Sequence, residues 1–526
     1  MPRLPQNAQP PTGPGPRLLH VGRASASPPG EAATARGLPW QVGLFLAAYA
    51  VTRTGDLLAG TALLWWLLTD TGSAGRAALL PAVAGLVGVL AGPLGGTIAD
   101  RVGRRTAALV SDGLRALLYA AMAVLAAAGE LTLPRTLAGV VLARLAGGPY
   151  EPALFGLVPE LAGPSRLERV NGWMEAVTSG SALWGPALAG LAYTAWGLPV
   201  LLALNAGSFL VSAAVLLITV PGRRAARAGA PSHLHRGGQA PAPALGDPSP
   251  RAEEGLRPRL GPARVAGQGT PESGGAPPGT MDSEGGTAGS SPATRGSRLE
   301  TPDPSGRTGF WHDLWDGWRL VRRDTLLSYD TAVGVSMNFF IPMIVMTIPV
   351  LAWDRFGGDP RVYGVLQGAL PLGMAVGARL AEPLLGWCSR GERYLLIVAA
   401  PLPLLLLLPV APHPLAAGAA LVLAGTAFGL SNVYVASTLQ RRIPATHRAR
   451  AWAVLLAVQT ALAPVGQGLA GLIADHGGVN VAVAVATGGA FTSLLLTRRL
   501  PGYRVFLETL RTAAGEEPPM AQRAVP

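Results

Sequence analysis

The chain has 526 residues, of which 49% are hydrophobic and only 14% are charged, and its mean hydropathy is +0.35. Soluble globular proteins carry about 25% charged residues, so this composition argues against a large soluble core and favours a polytopic membrane protein. The formal net charge of +12 does not indicate a nucleic-acid partner, because the arginines stand beside the ends of apolar stretches rather than on a polar folded surface.

The N-terminal segment 1–39 is rich in Pro, Gly and Arg and lacks the apolar run of a signal peptide, which predicts a disordered cytoplasmic tail. Twelve apolar stretches follow, each close to the length of about 20 residues that crosses a bilayer. They cover 40–68, 77–99, 107–127, 135–157, 170–193, 199–220, 326–353, 362–387, 394–411, 415–437, 449–474 and 480–498.

Arginine placement predicts the orientation of these stretches. With the N-terminus inside, the inner loops hold far more arginines than the outer loops, as the positive-inside rule requires. The inner set is Arg101, Arg104, Arg105, Arg166, Arg169, Arg390, Arg393, Arg441, Arg442, Arg448 and Arg450, and the outer set is Arg76, Arg135, Arg355 and Arg361. The sequence therefore predicts a multi-pass protein of the cell membrane with both termini in the cytoplasm.

The turn between the second and third stretches, Leu94–Arg105, reads Leu-Gly-Gly-Thr-Ile-Ala-Asp-Arg-Val-Gly-Arg-Arg. It resembles the signature loop of the major facilitator superfamily, Gly-x-Leu-Ala-Asp-Arg-x-Gly-Arg-Arg/Lys, with Thr97-Ile98 where that pattern has its leucine. The resemblance implies an all-α membrane protein whose 12 transmembrane helices form two pseudo-symmetric six-helix bundles. It also implies a monomeric transporter that alternates between two states and binds its substrate between the bundles.

The same resemblance implies a gate at the cytoplasmic face. Gly95 and Gly96 let two helices approach closely, Gly103 permits a tight turn, and Asp100 can face a helix N-terminus or an arginine of the other half. Asp112, Arg115 and Glu175 lie within a few turns of the cytoplasmic face and are interpreted as partners of this loop. The predicted gate residues are Gly95, Gly96, Asp100, Arg101, Gly103, Arg104, Arg105, Asp112 and Arg115.

Ionisable residues inside apolar stretches predict a hydrated cavity, because a charge at the bilayer centre costs about 2.5–3.5 kcal/mol on insertion scales. Arg53 and Asp56 lie three residues apart on one helix face, as a proton-coupling carboxylate beside a cation or as a structural ion pair. Arg144 and Glu151 share a face of the fourth stretch about 10 Å apart, so each either lines the cavity or reaches a neighbouring helix.

The two sets of six stretches look like repeats. Leu142–Gly148 resembles Leu423–Gly429 at an offset of 281 residues (423 minus 142). This offset puts Asn338 near the position equivalent to Asp56, so we expect Asn338 to line the cavity. Two further candidates are Arg379 and Glu382 of the eighth stretch, which are three residues apart and have a self-neutralising pair as their alternative role.

The predicted domains follow from these patterns. Residues 221–309 contain no aromatic residue and are dense in Pro, Gly, Ser and Ala, which predicts a disordered cytoplasmic linker. Residues 310–325 carry Trp and Arg at helical spacing, which predicts an amphipathic interfacial helix. The bundles are predicted at 40–220 and 326–498, and residues 499–526 are predicted as a cytoplasmic tail.

The fifth stretch carries Gly185-Pro186 followed by Gly190, which resembles an element of antiporters in this superfamily. Together with the order of the other motifs, it resembles the branch of macrolide-efflux and enterobactin-exporter-like proteins. The resemblance implies proton-coupled export of a small organic molecule, such as a drug, a macrolide or a siderophore-like compound. The open alternatives are an uptake symporter of the same fold and a non-transporting receptor or scaffold.

No motif for an enzyme, cofactor or metal site is present in the sequence. It has no Gly-x-Ser-x-Gly elbow, no His-Glu-x-x-His and no phosphate-binding glycine loop. A single cysteine, Cys388, excludes an internal disulfide. The expected partners are the lipid bilayer, a small-molecule substrate and protons.

Overall fold

The computed structural model describes residues 38–220, 318–319, 321–389, 393–443 and 454–514. Every regular element within these ranges is a helix. The predicted N-terminal tail up to residue 37 and the predicted linker 221–309 lie outside the described residues. So do Trp311 and Trp315 of the predicted amphipathic segment.

The N-terminal half is built from long helices joined by short turns. They are α1 (Trp40–Thr71), α2 (Ala74–Val102), α3 (Arg104–Ala127), α4 (Leu133–Gly147), α5 (Tyr150–Ala162) and α6 (Leu167–Thr219). Gly197 breaks α6 into two limbs, because its φ of 70° lies in the left-handed region that favours glycine. The two limbs correspond to the fifth and sixth predicted stretches.

The C-terminal half repeats this plan. Its helices are α7 (Thr325–Arg355), α8 (Pro360–Cys388), α9 (Arg393–Ala399) followed by a 3-10 helix (Leu402–Val410), α10 (Pro414–Arg442), α11 (Ala463–Gly477), α12 (Val479–Leu496) and α13 (Pro501–Ala513). A helical segment at 454–460 precedes α11. Helix α13 falls in the region that the sequence analysis assigned to the terminal tail.

Nine helices within the described ranges are long and apolar enough to cross a membrane. The prediction of twelve crossings is not matched one to one, for three reasons. Helix α8, which holds the eighth predicted stretch, is not among the nine. One of the nine, α6, contains two predicted stretches. The fourth predicted stretch is divided at Gly148-Pro149 into α4 and α5, because proline disrupts a helix that runs through it. The exact number of crossings stays a prediction.

Glycines at equivalent positions bring helices together within each half. A Cβ atom on Gly148 would lie 2.6 Å from the carbonyl oxygen of Ala91 in α2, and a Cβ atom on Gly429 would collide with the carbonyl oxygen of Met374 in α8. Gly148 and Gly429 are the last residues of the two repeated segments, which are 281 positions apart (429 minus 148). The repeat seen in the sequence therefore corresponds to the same backbone contact in both halves.

We expect Gly429→Ala to lower the thermal stability of the purified protein, because the added methyl group must displace the α8 backbone. Overpacking of this kind costs about 1–3 kcal/mol. Gly207→Ala is the matched control, since a Cβ atom there has no neighbour within 4 Å. The melting temperatures of the two variants in detergent measure the difference, and equal values would show that the α8–α10 contact adapts without strain.

The two halves meet along one end of the bundle. We call the end that holds Gly72, between α1 and α2, the Gly72 end, and the end that holds Gly103, between α2 and α3, the Gly103 end. Near the Gly72 end, Gly364 of α8 approaches the carbonyl of Pro186, and Gly471 of α11 approaches that of Ala74. The ring of Trp65 in α1 stacks on Tyr363 in α8, with centroids 5.3 Å apart.

A carboxylate of the C-terminal half caps a helix of the N-terminal half at the same end. One side-chain oxygen of Asp475 in α11 accepts a hydrogen bond from the backbone N–H of Ala74 at 2.7 Å. The other accepts from the N–H of Gly75 at 3.0 Å and from the hydroxyl of Ser73 at 2.5 Å. The first turn of α2 contains no acidic residue of its own. The negative charge of Asp475 therefore stabilises the positive end of the α2 dipole.

Candidate functional site

A cavity of about 710 Å³ lies inside the bundle. Residues of α1 to α5 form most of its wall, and Tyr363 and Gln367 of α8 contribute from the other half. Five charged side chains line it: Arg53, Asp56, Arg115, Arg144 and Glu151. The structure therefore brings the charged residues that the sequence analysis singled out in the first and fourth stretches into one space.

Arg115 is held at the wall of this cavity by carboxylates and aromatic rings. Its guanidinium donates a hydrogen bond to Asp112 at 2.6 Å and lies 4.0 Å from Asp56. The rings of Tyr150 and Phe209 lie close to it, with centroids 4.3 and 4.2 Å from the guanidinium carbon. The Arg115 side chain is only 10% exposed. This cation is fixed in place by contacts from several helices.

Asp56 is the least constrained acid of this group. Its side chain is 35% exposed, whereas that of Asp112 is fully buried. Its contacts are long: 4.0 Å to Arg115 and 3.5 Å to the amide nitrogen of Asn205 in α6. Asp56 is therefore held at the cavity wall by longer contacts than those that fix Asp112.

Arg53 pairs with Glu151 rather than with Asp56. The guanidinium of Arg53 donates a hydrogen bond to the carboxylate of Glu151, which joins α1 to the first turn of α5. The same guanidinium lies over the ring of Tyr49, 4.9 Å from its centroid. Both side chains of the ion pair are partly exposed, at 30% and 43%. The sequence prediction that Glu151 either lines the cavity or reaches a neighbouring helix agrees with this position.

The ionisable groups of the cavity balance one another. Counting the buried Asp112 behind Arg115, the network contains three arginines and three carboxylates. Arg144 is exposed at the cavity wall and takes part in none of the ion pairs found among the described residues. With all six groups ionised, the formal charges of this network cancel.

Three predicted cavity residues of the C-terminal half do not line this space. Asn338 in α7 donates its side-chain amide to the carbonyl of Gly334 one turn earlier, at 2.9 Å. Arg379 and Glu382 in α8 are both exposed, and they form no ion pair with each other. The cavity is therefore asymmetric, with its charges in the N-terminal half.

The structure places Asp112 and Arg115 with Asp56 at the cavity, whereas the sequence analysis grouped them with the signature loop. Glu175 accepts a hydrogen bond from Ser179 one turn away. The signature loop itself has other partners: Arg104 donates to the carbonyl of Gly156 at 3.1 Å and pairs with Glu160 at 3.3 Å in α5. The loop is thus tied to α5 of its own half.

The glycines of the signature loop have the local roles that the motif suggests. Gly103 adopts a φ of 90° and connects α2 to α3 in a single residue. Gly95 lies against the backbone of Gly148, and Gly96 faces Pro152. Arg105 donates to the carbonyl of Leu217 at 3.4 Å. Asp100 and Arg101 are exposed.

The antiporter-like element of the fifth stretch lies at the interface between the halves. Gly185 and Pro186 are buried, and Gly190 lies against the backbone of Pro360 in α8. Glycine is required at position 190 because any side chain there would collide with the other half. A packing role is therefore visible for this element in the described conformation.

Several polar residues at or near the cavity were not singled out from the sequence. The hydroxyl of Tyr363 and the side-chain oxygen of Gln367 are buried without a hydrogen-bond partner in the described part of the chain. A polar side chain in an otherwise apolar stretch was the available signal in each case, but Tyr and Gln are uncharged and attract less attention.

The cavity is accessible from the Gly103 end. Its lining residues in α2 run from Leu80 past the middle of the helix to Gly92. Phe155 in α5 also lines it and is 79% exposed. The close contacts between the halves, including the stacked rings of Trp65 and Tyr363, lie toward the opposite end. The cavity lining thus extends toward the Gly103 end, whereas the halves meet toward the Gly72 end.

Comparison with known proteins gives a consistent result. A family model described as Major Facilitator Superfamily matches residues 45–467. The chain is 29% identical over 199 residues to the multidrug efflux pump Tap of Mycobacterium tuberculosis. This match covers 37% of this chain and 46% of that protein. It is 25% identical over 180 residues to macrolide efflux protein A of Streptococcus pyogenes. That match covers 33% of this chain and 44% of that protein. The matches thus span less than half the length of these curated relatives.

Among solved structures, the chain resembles a bacterial homologue of the iron transporter ferroportin in its inward-facing state. The TM-score is 0.58 at 14% identity, and the match covers 88% of this chain and 99% of that one. At this identity the likeness concerns the fold alone. It confirms the predicted all-α membrane fold.

Proposed function

Because the chain belongs to the Major Facilitator Superfamily, we propose that it is a secondary active transporter that exports a small organic molecule in exchange for protons. The cavity between α1–α5 and α8 is the proposed substrate site. The orientation predicted from the arginines makes the Gly103 end cytoplasmic, so the described conformation is the one that accepts substrate from the cytoplasm.

The observation that carries the proposal is the position of Asp56. This carboxylate lines the cavity, is partly exposed, and lies 4.0 Å from the enclosed Arg115. When Asp56 is ionised, it shares the charge of Arg115 with Asp112. When Asp56 is protonated, it no longer offsets the positive charge of Arg115, and the cavity becomes more positive. Substrate and proton can therefore compete for one site, which is what exchange of the two requires.

The energy of such an exchange is adequate. One proton that crosses a potential of 100 mV releases about 2.3 kcal/mol, and each tenfold substrate gradient requires about 1.4 kcal/mol. One proton per cycle could thus sustain a substrate ratio on the order of 50.

The substrate class follows from the cavity wall and from the relatives. Leu57, Leu64, Tyr119 and Phe155 give the wall a large apolar and aromatic surface beside its few charges. Such a wall suits a lipophilic organic molecule with a small number of polar groups. The two relatives are named for multidrug and macrolide efflux, which is consistent with this class, and a macrolide is the first compound to test.

The experiment uses the full chain reconstituted in liposomes of known orientation. Erythromycin and a panel of lipophilic dyes serve as probes, and a pH gradient is imposed in either direction. Export predicts movement of substrate against the direction of proton flow. Movement in the same direction as protons would assign an uptake symporter, and no gradient-dependent movement of any compound would support the receptor alternative.

A charge swap tests the ion pair between α1 and α5. We expect Arg53→Ala to reduce transport by about tenfold, because it leaves the carboxylate of Glu151 without its partner at the cavity wall. The double variant Arg53→Glu, Glu151→Arg should recover most of the activity if the pair is mainly positional. Initial transport rates of Arg53→Glu, Glu151→Arg and the double variant, compared with the wild type, give the coupling. Additive losses would mean that the two residues act separately.

A further inference from the structure

A second, basic pocket lies where α12 ends and α13 begins. After Leu496 the chain forms a 3-10 turn (Thr497–Arg499), and α13 starts at Pro501. The pocket has a volume of about 520 Å³. It is lined by Leu495, Arg498, Arg499, Tyr503, Arg504 and Leu507. This pocket is at the Gly103 end and is separate from the cavity proposed for substrate.

Helix α13 holds the pocket in shape. One face of α13 is apolar and buried against the bundle, with Phe506 centred 5.8 Å from the ring of Tyr329 and 4.9 Å from that of Tyr394. The side chain of Arg511 donates a hydrogen bond to the carbonyl of Ser389 at 3.2 Å. Gly502 lies directly against Tyr329. The arginines of the pocket are therefore presented by a fixed element.

The charge of the pocket is of one sign. Arg498, Arg499 and Arg504 are all exposed side chains, and no acidic residue is among those that line the pocket. Phosphate matches the planar fork of the guanidinium group with paired hydrogen bonds. The chemistry of the pocket thus favours a phosphate group.

The apolar residues around the pocket indicate where that phosphate comes from. Leu495 at the pocket wall and Leu496 beside it are 38% and 50% exposed, and they end a helix of membrane-spanning length and composition. A phosphate held by the arginines lies at the boundary between apolar helix surface and polar surroundings. Phospholipid headgroups occupy this boundary in a membrane, and their acyl chains cover leucines of this kind.

We propose that this pocket binds the phosphate headgroup of an anionic membrane lipid. The proposal does not depend on the transport function, since it concerns residues outside the transport cavity. Its lining residues define the specificity: the three arginines select negative charge, and Leu495 and Leu507 accept the start of an acyl chain.

The test is lipid binding to the purified full-length protein, measured by native mass spectrometry. Phosphatidylglycerol and phosphatidylcholine with identical acyl chains are offered at equal concentration. The cluster variant is Arg498→Gln, Arg499→Gln, Arg504→Gln. The charge-matched control is Arg76→Gln, Arg135→Gln, Arg361→Gln, which removes three exposed arginines at the Gly72 end.

We expect the wild type to retain phosphatidylglycerol in preference to phosphatidylcholine. The cluster variant should bind about tenfold less phosphatidylglycerol, and the control variant should match the wild type. If the triple Gln variant does not fold, Arg499→Gln and Arg504→Gln are measured singly, and undiminished binding in both would overturn the proposal. Undiminished binding to the cluster variant would overturn the proposal, as would equal binding of the two lipids. Displacement of the lipid by millimolar glycerol phosphate would assign the pocket to a soluble phosphate instead.

Discussion

Asp56→Asn is expected to abolish the accumulation of substrate against its gradient while leaving the protein folded and inserted. Asparagine is close in shape to aspartate, but its side-chain amide does not bind and release a proton. Transport is therefore no longer coupled to the proton gradient. A substrate ratio on the order of 50, sustained by one proton per cycle, would fall to about 1. Arg115 also loses one of its two carboxylate neighbours but keeps Asp112 at 2.6 Å, and the wall of the cavity therefore stays intact.

The measurement has two parts. Gradient-driven transport into liposomes should disappear. Exchange of labelled for unlabelled substrate at equal pH should continue, because it needs substrate binding and movement of the two halves but no net movement of protons. Asp70→Asn is the control, since Asp70 is an exposed acid near the end of the same helix. Gradient-driven transport at the wild-type level in Asp56→Asn would remove Asp56 from the mechanism.

Asp475→Ala is expected to shift the protein toward a state that opens at the Gly72 end. The carboxylate of Asp475 accepts hydrogen bonds from the first residues of α2 across the interface, and these bonds can exist only while the halves are closed there. The removal of a helix cap costs about 0.5–2 kcal/mol. Here that cost falls on the closed state alone, so the ratio of open to closed molecules should rise by about 2- to 30-fold.

Spin labels on both sides of the interface report this shift. Arg76→Cys and His476→Cys in a Cys388→Ser background place one label on each half, at exposed positions. A longer distance should become more populated in Asp475→Ala. The matched control is Asp359→Ala, because Asp359 caps α8 within its own half by accepting from the N–H of Arg361 at 2.8 Å. Identical distance distributions in wild type and Asp475→Ala would show that the cap does not hold the halves together.

The positions of the helices could be predicted from the sequence because apolar stretches, glycine turns and arginine-rich loops are local signals. The turn at Gly103 and the close approach at Gly95 are examples. The repeat between Gly148 and Gly429 was also visible as a constant offset. Helix α13 was missed, although Tyr503, Phe506 and Leu510 recur at the helical spacing of a buried face.

The partners of the charged residues could not be predicted in the same way. Spacing along one helix suggested that Arg53 faces Asp56, but the structure pairs Arg53 with Glu151. The choice depends on how α5 is tilted after Pro149, which is a property of tertiary packing. Asp475 gave no signal either, because a single acid near the end of a helix is common, and its role appears only when the other half is in place.

The close contacts between the halves have a consequence for the route out of the cavity. Near the Gly72 end, glycines of one half lie against carbonyl oxygens of the other: Gly190 against Pro360, Gly364 against Pro186, Gly368 against Leu183 and Gly471 against Ala74. Separation of the halves uncovers these oxygens, whose second lone pairs then accept hydrogen bonds from water. Opening at this end would thus expose main-chain oxygens to water at the surfaces where the halves now touch.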